Sequence, residues 1–101
     1  MVIKPEIIWS KRALKQFKDI YDYINNESPS GATTVRDAVM NTLEMLPSNP
    51  EMFEKDRFKE INDGTYRAFT VFHCRIAYKI SASKILILKV MHTSQEPKDY
   101  E

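Results

Sequence analysis

The spacing of apolar positions changes along this chain, and each change marks an element. Glu6-Ile7-Ile8-Trp9 is a short β-branched run behind Pro5. Because proline cannot donate to a ladder, the run predicts an edge strand, or a strand that opens just after Pro5. Ser10 offers a capping oxygen, and Ala13, Leu14, Phe17, Ile20, Tyr21 and Ile24 then recur every three or four residues, which predicts an amphipathic helix over 11–26. Lys11, Lys15 and Lys18 lie on its opposite face. Ser28-Pro29 sets a cap before a proline at a first helical position, where the missing N–H costs nothing. The stripe Ala32, Val35, Val39, Leu43, Leu46 carries this second helix to Pro47, which stops it. Two amphipathic helices joined by so short a link predict an antiparallel αα-hairpin.

From Pro47 to Gly64 the periodicity disappears and charges alternate, which predicts an ordered surface connection with a possible helical turn near Met52 and Phe53. Asn62-Asp63-Gly64 reads as a turn into three strands, near 66–72, 74–81 and 84–91. In the middle one Cys74, Ile76, Tyr78 and Ile80 alternate with Arg75, Ala77, Lys79 and Ser81, giving one buried and one wetter face. Ile85 to Leu88 is apolar at every position, as suits a strand covered on both sides or central in its sheet. Connections of about two residues, near His73 and Ala82-Ser83, make the three an antiparallel meander. The order is βααβββ, an α+β arrangement with the helix pair packed on one face of a small antiparallel sheet. The expected core includes Trp9, Leu14, Phe17, Ile20, Ile24, Val35, Val39, Leu43, Phe69, Val71, Ile76, Tyr78, Ile85, Ile87 and Leu88.

Register fixes which side chains share a face. A two-residue turn between the first two meander strands puts Tyr66, Ala68, Thr70, Arg75, Ala77 and Lys79 away from the helices. It leaves Arg67 at the core-side edge, whereas a three-residue turn would set Arg67 beside Arg75.

Length and charge narrow the function. A chain of 101 residues makes one domain, 1–101, with one core and little room for a deep cofactor cavity. A lone Cys74 forms no internal disulfide, and on the predicted core face it should be inert. The first residues carry no apolar stretch of signal-peptide length, and no run approaches the ~20 apolar residues of a membrane helix. A cytoplasmic protein without membrane contact is expected. With 15 Lys+Arg against 14 Asp+Glu there is no global basic field, yet no acid falls between Tyr66 and His92, where Arg67, Arg75, Lys79, Lys84 and Lys89 all lie. A basic sheet could hold phosphate through charge-assisted contacts. The structural alternative is that Arg75 pairs with an acid of the Glu51 to Asp63 segment, that His92 caps the sheet, and that His73 is a turn residue.

The order βααβββ resembles the RelE/ParE superfamily of bacterial toxins. Four features carry the likeness: Trp9-Ser10-Lys11-Arg12-Ala13 at the strand-to-helix junction, Tyr66-Arg67-Ala68-Phe69, Cys74-Arg75-Ile76-Ala77-Tyr78-Lys79-Ile80, and Val90-Met91-His92-Thr93-Ser94-Gln95-Glu96-Pro97. The resemblance implies the toxin component of a type II toxin–antitoxin system, working without metal or other cofactor and held by a cognate antitoxin protein. It also implies one of two growth-inhibiting activities. RelE-like members cleave mRNA on the ribosome; ParE-like members poison DNA gyrase. A catalytically inactive binding module of the same fold is the third possibility.

RNA cleavage through the 2′-OH needs a base, an acid and cations around the phosphate. Carried over, Arg75 would be the phosphate-stabilising arginine, His92 the acid/base group, and Tyr100 the C-terminal tyrosine near the phosphate. Arg67 and Lys79 would be auxiliary RNA-binding cations, and Lys11, Lys15 and Lys18 would face the antitoxin. Tyr66 and Ala68 stand where RelE-like ribonucleases usually carry lysines, and the His-Thr-Ser-Gln-Glu-Pro ending is closer to ParE-like members.

Overall fold

A computed structural model describes residues 4–93. Strand β1 (Glu6–Trp9) leads into α1 (Lys11–Glu27) and α2 (Pro29–Met45), followed by β2 (Tyr66–Val71), β3 (Cys74–Ile80) and β4 (Lys84–His92). The helix ends follow from local chemistry. Ser10 Oγ accepts from Ala13 N at 3.0 Å. One residue then separates the helices: Ser28 N–H donates to Ile24 O and closes α1, while Ser28 Oγ accepts from Gly31 N and opens α2 on Pro29.

The sheet order is β1-β4-β3-β2. The meander is antiparallel as the spacing predicts, but β1 lies parallel to β4, so the whole sheet is mixed. The parallel pairing follows from the path. After two antiparallel helices, residues 46–65 return the chain to the end where β1 began, so β2 runs parallel to β1, and two hairpin reversals leave β4 parallel as well.

The β2–β3 register is the one a two-residue turn imposes: Tyr66 faces Lys79, Thr70 faces Arg75, and Val71 faces Cys74. Phe72 and His73 form that turn with φ of 46° and 66°. Such left-handed values suit a tight hairpin but are unusual for bulky residues.

The helices cover one sheet face. Ala13, Phe17, Val39, Leu43 and Leu46 meet Phe69, Ile76, Tyr78, Ile85, Ile87 and Val90 in one buried cluster. Leu14, expected there, is exposed; Ile24 and Leu88 are only half-buried, as are Trp9, Ile20, Val35 and Val71, which pack against the cluster. Leu88 falls at a bulge, where Tyr78 pairs with Ile87 and Ala77 with Lys89, so the strand switches phase and Val90 takes the inward position. Since β1 is short, α1 supplies partners to the part of β4 beyond it: Ser10 Oγ donates to Leu88 O at 3.3 Å, and Gln16 Oε1 accepts from Val90 N at 2.8 Å.

Tyr78 anchors the connection to the core through its hydroxyl, which donates to Pro50 O at 2.8 Å. Burial pushes its phenol pKa up to about 12, so the neutral form is favoured in the fold. The stabilisation from this shift is whole below the ordinary tyrosine pKa of ~10 and is lost as pH rises from there through the folded value. Stability measured by urea titration should therefore decline between pH 10 and pH 12, and Tyr78→Phe should flatten that decline. Cys74 is fully buried and its thiol pKa is likewise raised by burial, which keeps it unreactive.

Candidate functional site

The sheet face away from the helices is where Arg75, Lys79, Tyr66 and Thr70 gather, and the 46–65 connection lies against it. Asp56 is the anchor of that contact. Its backbone N–H donates to Tyr66 O at 2.9 Å, and Glu54 O accepts from Ala68 N at 3.3 Å, so the connection pairs briefly with the outer edge of β2. This turns the Asp56 carboxylate inward over the sheet. Arg75 Nη2 donates to Asp56 Oδ1 at 2.6 Å, with the two side chains 6% and 1% exposed. Oδ1 also accepts from Phe58 N at 3.0 Å, and the Phe58 ring lies 4.6 Å from the Arg75 guanidinium carbon. Arg75 is thus roofed by an acid and an aromatic ring. Asp56 Oδ2 has no hydrogen-bond partner among the described residues.

Beside this pair the face is basic and aromatic. Lys59 Nζ and Lys79 Nζ lie 4.7 Å and 5.1 Å from the Tyr66 ring centroid, and the Arg57 guanidinium lies 4.7 Å from Phe58. Asp63 sits close by, its carboxyl pKa lowered by hydrogen bonds from Thr65, with Lys79 adding to the effect. A cavity of about 290 Å³ opens between Arg57, Lys55, Thr70 and Arg75.

The predicted site residues are not brought together. Cys74 is the ladder partner of His92 and Met91 that of Arg75, so His92 projects to the helix side and Arg75 to the opposite side. His92 lines a cavity with Ile24, Val35 and Phe72, and its ring lies 5.9 Å from that of His73. Arg67 also leaves the proposed phosphate face. It stands at the β2 edge and secures the connection, donating to Gly64 O at 2.9 Å and Phe53 O at 2.7 Å, with Glu51 Oε2 3.7 Å away. Among the described candidates only Lys79 shares the Arg75 face, four positions along the same strand, or roughly 13 Å. Tyr100 lies outside the described residues. Lys11, Lys15 and Lys18 are exposed on α1 as expected; Lys15 and Lys18 pair with Asp19 and Asp22 at 3.0 Å and 2.8 Å. Asp56 carries no local sequence signal of its role beyond its membership of the charged segment 51–63, the alternative source of a partner for Arg75.

An αα-hairpin thus packs on a mixed four-stranded sheet, with the 46–65 connection strapped over the sheet's basic face. The sequence profile of the ParE toxin of the type II toxin–antitoxin system parDE matches residues 7–97, and the chain belongs to that family. No curated protein matches it significantly. Among solved structures it is similar to the chromosomal ParDE toxin–antitoxin system from P. aeruginosa, with TM-score 0.70, 16% identity, and 88% of this chain and 96% of that chain covered. It is also similar to the YoeB dimer from Staphylococcus aureus, with TM-score 0.53, 14% identity, and coverage of 88% and 97%.

Proposed function

We propose that this chain is the growth-inhibiting toxin of a toxin–antitoxin pair, neutralised in the cytoplasm by a cognate antitoxin, and that it acts on DNA gyrase rather than by cutting mRNA on the ribosome. The observation that carries the choice is the Asp56 carboxylate on Arg75. A phosphate-stabilising arginine must offer its guanidinium to the transition state. Here a buried carboxylate already holds it at 2.6 Å, and the acid/base candidate His92 lies across the sheet. Displacing Asp56 would strand a buried charge, which a phosphate contact would have to offset. Toxicity through a protein–protein contact makes no such demand.

Induced expression tests this directly. The expected result is DNA damage and arrested supercoiling by purified gyrase, with protein synthesis continuing in the first minutes. Cuts at A-site codons in a toeprinting assay with purified chain and ribosomes, without gyrase inhibition, would reverse the assignment.

A further inference from the structure

We propose that the tip of the β2–β3 hairpin, Phe72-His73, is the knob by which this chain engages its target, and that it seats in an apolar pocket on a folded domain of that protein. The proposal rests on the gyrase reading above and adds the surface that makes the contact. Both tip residues have positive φ, 46° and 66°, as a two-residue turn between right-twisted strands requires. Asn-Gly and Asp-Gly reach such values with little strain, whereas a ring-bearing side chain is strained at each of the two positions. A less strained turn thus fits the same register. Strain of this kind gathers where a contact needs the side chain it presents. The core does not need this one: Phe72 is 58% exposed and takes no part in the buried cluster.

The knob is held stiffly. Thr93 N–H donates to His73 O at 2.8 Å, the Val71–Cys74 pair closes the hairpin beneath it, and the His73 ring stacks on His92 with centroids 5.9 Å apart. Little ordering is then left for the moment of binding, which favours a pocket of matching shape. Shape and charge select the occupant. A convex tip needs a concave partner, and a pocket wide enough for a phenyl ring needs a folded domain rather than a short wrapping segment. Beside the ring lies a cavity of about 470 Å³ over Ile24 and Val35, rimmed by the hydroxyls of Ser28, Ser30 and Thr34. Among the described residues that line it there is no Asp, Glu, Lys or Arg, so the rim of the partner's pocket should be uncharged as well.

The test pairs the full chain with purified gyrase and reads inhibition of supercoiling beside the melting temperature. Phe72→Asn/His73→Gly installs the residues the turn favours, and Phe72→Asn alone removes the ring and keeps His73. Both variants should melt at or above the parent's temperature, yet need about tenfold more protein or greater for half-inhibition. A merely structural tip cannot give that opposite movement, because lost structure would lower stability and inhibition together. Parent-like inhibition by either folded variant would overturn the knob while leaving gyrase as the target. Lower melting temperature with lost inhibition in both would overturn it too, since the tip would then serve the fold. A parent chain that leaves gyrase untouched would remove the target reading itself, and the knob with it. Titration with the product of the open reading frame adjoining the gene should give parent-like affinity in both variants. A parallel loss there would make that protein the occupant, a parent dimer that Phe72→Asn dissociates would make it a second copy, and either result overturns the assignment.

Discussion

Arg75→Ala should destabilise the fold by about 3–5 kcal/mol, because it leaves the buried Asp56 carboxylate without this cation, and Asp56→Ala should destabilise it in the same direction. Neither side chain has access to water that could take over: they are 6% and 1% exposed. Among the described residues the Asp56 carboxylate would keep only the Phe58 N–H at 3.0 Å, and the Arg75 guanidinium would lose the acid that roofs it. Against a total stability of ~5–15 kcal/mol for a domain of this kind, such a loss leaves much of the chain unfolded when warm. Loss of toxicity in Arg75→Ala would therefore say nothing about phosphate chemistry. The informative variant is Asp56→Leu/Arg75→Met. Replacing a buried pair by apolar residues of similar volume is often neutral or stabilising, so urea unfolding should show most of the lost stability restored. A folded, still toxic double variant is the expected outcome, and it would separate the structural role of Arg75 from a chemical one. A folded double variant without toxicity would return Arg75 to the toxic mechanism.

The same pair marks the border of what the sequence makes legible. Caps, helix stripes and the two-residue hairpin are local, governed by residues within four or so positions, and Ser10, Ser28 and the Tyr66–Lys79 register all behave as their neighbours dictate. The connection over the sheet is held by distant partners: Arg75 with Asp56, Tyr78 with Pro50, and Arg67 with Phe53. Alternating charges in that segment read as solvated surface, since nothing local reveals that one carboxylate is turned inward. Leu14 fails in the opposite direction. Its periodicity is correct for a helix face, but periodicity cannot say whether the covering layer belongs to the same chain. The parallel seat of β1 was equally hidden, because the path of 46–65 sets it rather than any residue of β1. For the site, the consequence is that the β2–β3 register groups the sheet-face residues correctly, while only the family resemblance sets His92 with them, without regard to which side of β4 it occupies.

Ile87→Ala should cost about 3–4 kcal/mol, within the range for emptying a fully buried aliphatic site. Ile87 is 0% exposed, lies opposite Trp9 of β1 on one side and Tyr78 of β3 on the other, and its carbonyl accepts from Ser10 N at 2.9 Å. With both neighbouring strands and α1 fixed around it, the site has little freedom to collapse onto the space left. Ile87→Val, one methylene smaller, should cost only about 1 kcal/mol. Leu88 provides the decisive comparison. The two residues are adjacent in the same apolar run, and hydropathy alone ranks them equally. The bulge between Ala77 and Tyr78 gives Ile87 and Val90 the inward positions and leaves Leu88 half-buried at the phase change. Leu88→Ala should thus cost clearly less than Ile87→Ala, about 1–2 kcal/mol by urea unfolding. Equal losses at the two positions would mean that β4 keeps a single phase through this run. That would move Val90 and His92 to the Arg75 face, and so reopen the ribonuclease arrangement that the bulge takes apart.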